Sequence, residues 1–243
     1  MIKNTKLQFA FFWVGQNISI PSLLVKSIRI SFKNEAFIYQ LTDNQTPYIE
    51  GVDKTIRGAL PKDIMLARLK AYSNLKTDKP TCFLDADSLV LQKFSLPDFN
   101  QYRAFIIKRL DQTSLINHNF PEFYPEFINQ KFFDLMPIFF GFIATSNGGV
   151  FFKKLLANAK KMPARFHRWY GDQMSLAEEW RKKESDFLVL SQNEYLFIVK
   201  ENIDLSLLIN QNTKIITFKG SEAKSHILES YLQLKDIYLP QIK

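Results

Sequence analysis

The feature that most restricts the fold of this chain is its alternation of short apolar runs with longer stretches of helical period. Residues 7–14 (LQFAFFWV) are apolar apart from Gln8. Residues 20–32 follow with Leu23, Leu24, Ile28 and Phe32 at helical spacing and Pro21 near the start, where a first turn tolerates it. Residues 36–41 (AFIYQL) form a second mostly apolar run, stopped by the turn-forming Thr42-Asp43-Asn44. A strand covered on both faces reads as a near-continuous apolar run, and a helix between two such strands predicts a parallel βαβ unit.

The alternation continues. Helical spacing is predicted over 62–75, a short buried strand over 81–84 and a further strand over 103–107. Residues 112–131 lack clean periodicity, carry Pro121 and Pro125, and predict a long loop with short helical pieces, a length that often serves function. A strand is predicted over 138–145, a turn at Ser146-Asn147-Gly148-Gly149, and a helix over 150–161 with Phe151, Leu155 and Leu156 on one side. Gly171-Asp172-Gln173 opens a helix over about 173–183 with Asp172 as its N-cap. A late strand is predicted over 215–218, a turn at Lys219-Gly220 and a C-terminal helix over 225–234. No repeat, low-complexity tract or Gly/Ser linker interrupts the pattern, which predicts one domain over 1–243.

Charge and cysteine content narrow the partners. The net charge of +8 favours anionic ligands: nucleotides, phosphorylated sugars, nucleic acid or an acidic membrane surface. The single cysteine, Cys82, excludes an intrachain disulfide and a CxxC zinc site and fits a reducing, cytoplasmic setting. Basic residues 1–6 followed by the apolar run imitate a short signal peptide. Gln8 interrupts that run, however, and no small-residue cleavage pattern follows, so a buried first strand is the reading. No stretch approaches the roughly 20 apolar residues of a membrane helix.

Asp85-Ala86-Asp87 is the strongest chemical signal. Cys82, Phe83 and Leu84 precede it, which puts both acids at the end of a buried strand, and residues two apart in extended chain face the same side. Two carboxylates converging there suit a hard cation, Mn²⁺ or Mg²⁺, that completes its shell with water and phosphate. Carboxyl ends of strands are also where open α/β sheets place their ligands. Gly171-Asp172-Gln173 presents a carboxylate and an amide at a helix start, although an ordinary N-cap has the same appearance.

With these motifs in place the chain resembles glycosyltransferases of the GT-A fold, families 32 and 8, over most of its length. Phe12-Trp13-Val14-Gly15 resembles the element ending the first strand, and FIYQLTD (37–43) resembles the second strand with its acidic end at Asp43. Arg68 lies in a helix ahead of the motif, and Phe83-Leu84-Asp85-Ala86-Asp87 matches the DxD motif itself. Phe140-Gly141-Phe142 with residues 146–149 resembles the acceptor-side strand, Gly171-Asp172-Gln173 the Asp-Gln element, and Ile216-Thr217-Phe218-Lys219-Gly220 the C-terminal element. There are two departures. Thr217 stands where the family has a metal-completing His, and a hydroxyl is a poorer ligand. Lys79-Pro80-Thr81-Cys82 replaces the Gly-Gly-Tyr before the motif.

The resemblance implies an α/β chain with a Rossmann-like mixed sheet flanked by helices. It implies transfer of a sugar from a nucleotide-sugar donor to a saccharide or glycolipid hydroxyl, in surface polysaccharide or glycolipid synthesis, with no nucleic-acid partner. Asp85 and Asp87 would hold the metal. Trp13, Gly15, Asp43, Arg68, Asp85, Lys219 and Lys224 would bind the donor, and Asp172 and Gln173 would contact the transferred sugar. Lysines and arginines at 153, 154, 160, 161, 165, 168 and 181–183 predict a basic face for an anionic lipid surface or a phosphorylated acceptor.

Two rival readings share some of these features. A haloacid-dehalogenase-like phosphatase also places DxD after an apolar strand and uses the first Asp as nucleophile. Here the motif comes 85 residues in, Ser88-Leu89 replaces Gly-Thr, and Leu176 stands where an acid is needed. A basic nucleic-acid-binding domain fits the charge but lacks any recognisable signature.

Overall fold

The computed structural model describes residues 6–77, 79–99, 101–116, 125–201 and 203–239. Its strands are β1 (Leu7–Phe12), β2 (Ala36–Thr42), β3 (Lys54–Arg57), β4 (Thr81–Leu84), β5 (Ser88–Val90), β6 (Ala104–Lys108), β7 (Ile138–Thr145), β8 (Phe187–Leu190), β9 (Phe197–Val199) and β10 (Ile215–Phe218). Its helices are α1 (Ser19–Phe32), α2 (Ile64–Asn74), α3 (Phe132–Leu135), α4 (Gly148–Lys161), α5 (Gly171–Lys182), α6 (Gln192–Tyr195), α7 (Leu205–Asn210), α8 (Ser221–Ser225) and α9 (Ile227–Tyr238).

Seven strands form one sheet in the order β3-β2-β1-β4-β7-β6-β8. Only β7 runs against its neighbours; the other six are parallel, so their carboxyl ends share one edge. The chain leaves β1 through α1 to β2 on one side and later returns to β4 on the other. The carboxyl ends of β1 and β4 therefore flank the point where strand order reverses, the place such sheets leave open for a ligand. A second sheet, β5-β10-β9, pairs β10 antiparallel to β5 and parallel to β9.

Side-chain alternation divides the core between the two faces of the large sheet. Ala10, Phe12, Phe83, Ile138, Phe140 and Ile143 point to one side, against Leu66, Leu69 and Tyr72 of α2, Phe151, Phe152 and Leu155 of α4, and Leu176 and Trp180 of α5. Phe9, Phe11, Cys82, Leu84, Phe142 and Ala144 point to the other, against Leu24, Val25, Ile28 and Phe32 of α1. Each fully buried large side chain contributes roughly 1.5–3 kcal/mol, which is why runs apolar on both faces hold the centre of the sheet. The small sheet has its own cluster with Leu205, Leu208, Ile227 and Leu234.

The opening βαβ unit, α2, β4, β6, β7, α4 and β10 stand where periodicity places them. Strands β3, β5, β8 and β9 are additional, each three or four residues long. The C-terminal helix is two pieces, with His226 at their junction. Residues 117–124 of the long loop, Pro121 included, and the basic residues 1–5 lie outside the described residues.

The start of α5 corrects the expected N-cap. Tyr170, in left-handed conformation at φ 66°, precedes the helix, and Gly171 is its first residue. A Cβ on Gly171 would lie 2.3 Å from the backbone oxygen of Phe166. Asp172 is thereby drawn one step inside the helix and into the protein. Overpacking of this kind costs about 1–3 kcal/mol. We therefore expect Gly171→Ala to lower the melting temperature by roughly 3–10 °C in thermal denaturation; an unchanged melting temperature would show that the junction yields freely.

Candidate active site

The carboxyl ends of β1, β4 and β6, together with the turn after β10, enclose a cleft of about 810 Å³. β1 delivers Phe12, Trp13 and Val14, and β4 runs directly into Asp85, Ala86 and Asp87. Arg109 directly follows β6, α2 contributes Met65, Arg68 and Tyr72, and Lys219 and Gly220 directly follow β10. Phe132, Trp169, Tyr170 and Gln173 form the remaining wall.

At the floor of the cleft three acids and three cations interlock. Arg68 Nη1 donates to Asp85 Oδ1 at 2.6 Å, and Arg68 Nη2 donates to Asp172 Oδ2. The Lys219 ammonium donates to Asp85 Oδ2 and, at 3.2 Å, to Asp87 Oδ1. Lys224 Nζ lies 3.0 Å from Asp87 Oδ2. The Arg68 guanidinium also stacks over Phe140, 4.4 Å from the ring centroid, and the Lys219 ammonium sits 5.3 Å from the centroid of Phe139.

Local backbone fixes these positions. Thr217 pairs with Ser88 across the antiparallel β10–β5 ladder, and the Phe218 N–H donates to the Asp87 carbonyl at 3.0 Å, so Lys219 leaves its strand beside Asp87. The Asp85 N–H donates to the Gly141 carbonyl at 3.2 Å. A Cβ on Gly141 would lie 2.5 Å from the Phe139 ring and 3.2 Å from Asp85 Oδ2, so a glycine there leaves the carboxylate its space.

Electrostatics keep the cluster ionised. Burial pushes the Asp85 carboxyl up, but the Lys219 and Arg68 charges outweigh it and hold the group at about 2. Burial pushes the Lys219 ammonium down, and Asp85 and Asp87 more than reverse this, so it lies above its ordinary value of 10.5. A depressed carboxylate contributes stability above its ordinary 3.8 that is lost as pH falls towards about 2. A raised ammonium contributes stability below 10.5 that is lost at higher pH. The Asp85–Lys219 pair therefore persists through the neutral range.

The spacing of Asp85 and Asp87 predicts a shared Mn²⁺ or Mg²⁺. The two carboxylates do converge on one point, but an ammonium holds that point, and the donor set does not fit a protein-held divalent ion. All four oxygens of the pair face protein cations. Among the described residues no group of three His, Cys, Asp or Glu side chains could hold a metal. Thr217 adds nothing, since its hydroxyl is buried, has no hydrogen-bond partner among the described residues and does not line the cleft.

The other expected site residues divide between the cleft and its surroundings. Trp13, Arg68, Asp85, Asp87, Gln173, Lys219 and Lys224 line it. Asp172 is fully buried behind Arg68, where it anchors that guanidinium and its Oδ1 accepts from the Gln173 N–H at 2.7 Å. Gly15 and Asp43 stand outside the cleft lining. The Asp43 carboxylate closes a turn by accepting from the N–H groups of Gln45 and Thr46, and the Gly15 N–H donates to the Thr46 hydroxyl.

Of the predicted basic face, Lys153, Lys154, Lys160 and Lys161 are exposed on or beside α4. Arg165 instead pairs with Glu126, Arg181 donates to the backbone of Asp134 and Leu135, Lys182 pairs with Glu178 and Glu179, and Lys183 pairs with Asp186.

Sequence reasoning missed Arg109. It is half-buried, donates to the Met136 carbonyl at 2.8 Å and to Gln173 Oε1 at 2.6 Å, and lies over Phe139 at 4.8 Å. Burial lowers its pKa to about 10. The missed signal was its place just beyond an apolar strand parallel to β4, the same position that marks Asp85.

Solved structures share the fold. The chain aligns with the crystal structure of the galactosyltransferase LgtC in complex with donor and acceptor sugar analogs at a TM-score of 0.60 and 11% identity, covering 96% of each chain. It aligns with an active-site mutant of LgtC, a glutamine changed to glutamate, at a TM-score of 0.58 and 10% identity, again over 96% of each chain. No family model and no curated protein sequence matches. At this identity the likeness establishes the fold: the chain has the GT-A, nucleotide-diphospho-sugar transferase architecture, a mixed sheet flanked by helices.

The buried Arg68–Asp172 pair is testable on its own. Removing one partner of a buried pair leaves an uncompensated charge and costs about 3–5 kcal/mol. Asp85 still accompanies Arg68, so we expect Asp172→Ala to sit at the lower end, about 3 kcal/mol by denaturant unfolding, and Asp172→Asn to cost less. Equal, negligible losses would contradict the pairing.

Proposed function

We propose that this protein is a glycosyltransferase that moves a sugar from a nucleoside diphosphate sugar to a hydroxyl of a saccharide or glycolipid acceptor, within a single domain spanning the chain. The observation that carries this reading is the Arg68–Asp85–Lys219–Asp87–Lys224 cluster at the floor of a roomy cleft, at the switch point of a GT-A sheet.

The chemistry asks for such a floor. The acceptor oxygen bonds to the anomeric carbon, the bond from that carbon to the diphosphate oxygen breaks, and the hydroxyl proton passes to the departing diphosphate or to water. Negative charge grows on the leaving diphosphate, and fixed cations aimed at it lower the barrier. Lys219 and Lys224 each direct part of an ammonium at the cleft and supply that charge. Trp13 is half-buried at the rim, its Nε1 held by the Asn17 carbonyl at 3.0 Å, and offers a ring to the donor base. Gln173 has its carbonyl oxygen engaged by Arg109, which leaves its amide N–H groups to donate to the transferred sugar. Phe132, Trp169 and Tyr170 provide apolar faces for sugar rings on the acceptor side.

Neither Mn²⁺ nor Mg²⁺ enters this reading, because the donor set is already satisfied by protein cations. The phosphatase alternative would use Asp85 as the attacking carboxylate; here its two oxygens are held by Arg68 and Lys219. For a lipid-linked acceptor at the inner membrane face, the exposed lysines of α4 supply a surface for anionic headgroups. Among the described residues no helix is long and apolar enough to cross a membrane.

A thermal-shift screen of nucleoside diphosphates and nucleotide sugars tests this reading. We expect one base class to raise the melting temperature by roughly 5 °C at hundredfold excess over its Kd, and the rise to shrink in Trp13→Ala and Lys224→Ala. Absence of any response across all bases would defeat the assignment.

A further inference from the structure

We propose that Lys219 is the resident cation of this site. Its ammonium occupies the point between Asp85 and Asp87 that a divalent ion would take, and with Lys224 and Arg68 it receives the donor's diphosphate without metal. This rests on the nucleotide-sugar reading above and goes beyond it by naming how the diphosphate is held.

Three observations carry the inference. The first is occupancy of the carboxylate oxygens. Asp85 Oδ1 faces Arg68 at 2.6 Å, Asp85 Oδ2 and Asp87 Oδ1 face Lys219, and Asp87 Oδ2 faces Lys224 at 3.0 Å. A divalent ion can draw most of its shell from water and phosphate, but it reaches these two carboxylates only by displacing an ammonium from a partly buried pair of acids. The second is charge balance. Asp85, Asp87 and Asp172 are matched one for one by Arg68, Lys219 and Lys224, so the cluster carries no net charge for a divalent ion to neutralise.

The third is preorganisation. Lys219 does not reach the acids from a distant loop. The β10–β5 register and the Phe218 N–H bond to the Asp87 carbonyl set its backbone beside them, and the Phe139 ring lies beneath its ammonium. An ammonium has three donors. Two go to the carboxylates and the third remains for the cleft, which Lys219 lines together with Lys224. Asp85 and Asp87 thus act as positioning residues that hold the ammonium at the depth where a diphosphate oxygen arrives. The same arrangement gives Lys219 and Lys224 separate duties: Lys219 bridges both acids, whereas Lys224 touches Asp87 alone and is 42% exposed, free to follow the phosphate.

The test is isothermal calorimetry of the full chain with uridine, guanosine, adenosine and cytidine diphosphates, in EDTA and in Mn²⁺, with electron paramagnetic resonance of Mn²⁺ added to the protein alone. We expect one nucleotide to bind in EDTA within about threefold of its affinity in Mn²⁺, and the Mn²⁺ spectrum to stay that of the free ion. In Lys219→Ala we expect affinity in EDTA to fall about 10- to 100-fold, the span of one or two charge-assisted hydrogen bonds. The freed acids should then bind Mn²⁺, so that added metal restores part of the loss. Diphosphate binding that requires Mn²⁺ in the unaltered protein would overturn the inference and leave the donor reading standing. Failure of every nucleotide in both buffers would overturn the donor reading and the inference with it. Should Lys219→Ala not fold, the two buffers compared on the unaltered chain still decide.

Discussion

Two aspartates at the end of a buried strand must be neutralised, and the way this chain neutralises them shapes the rest of the molecule. Asp85 and Asp87 sit close together with little solvent access, so like-charge repulsion and lost hydration would drive them apart or protonate them. Arg68 from α2 and Lys219 from β10 prevent this from opposite sides of the cleft. The demand reaches outward in layers. Arg68 is itself anchored by Asp172 of α5, and Asp172 gets there because Tyr170 and Gly171 start that helix two residues early. The small sheet β5-β10-β9 exists in a form that presents Lys219 beside Asp87.

Pairing of this sort contributes little to net stability, since desolvating six charged groups offsets most of the Coulombic gain. Its value is geometric. The cations are held in place before a ligand arrives, in a site of reduced dielectric where a developing anion feels them strongly. The depressed Asp85 carboxyl and raised Lys219 ammonium keep that pair charged throughout neutral pH. The apolar parts of the walls, Phe139 and Phe140 under the cations and Trp13 at the rim, limit water around the same groups.

Much of this fold was legible because buried parallel strands advertise themselves. Runs such as FAFF and CFL have no polar face to confuse them, and helical spacing in α1 and α4 is plain. Strands β3, β5, β8 and β9 were not legible: three or four residues hold too little pattern, and Lys54 and Arg57 at the ends of β3 are exposed. At the site, the convergence of Asp85 and Asp87 followed from their spacing, and Lys219, Lys224, Arg68 and Gln173 from motif order. What did not follow was the partner each acid chooses. An acid pair two residues apart can face a metal or an ammonium, and the register of β10 against β5 is what brings the Lys219 ammonium beside this pair. The place of Asp172 behind Arg68 was not legible for a related reason, because it depends on a steric contact at Gly171 that spacing cannot express. Arg109 escaped notice because its partners, Met136 and Gln173, come from distant parts of the chain.

The central claim is that this cluster of protein cations is the diphosphate seat of a sugar-transfer site. The most direct measurement is a crystal structure of the protein grown with a bound nucleoside diphosphate in Mn²⁺-containing buffer, with anomalous data collected at the manganese edge. The account predicts β-phosphate oxygens within hydrogen-bonding distance of Lys219 and Lys224 and no anomalous peak between Asp85 and Asp87. Phosphates seated elsewhere in the molecule, or a manganese peak with Lys219 swung out of the cleft, would contradict it.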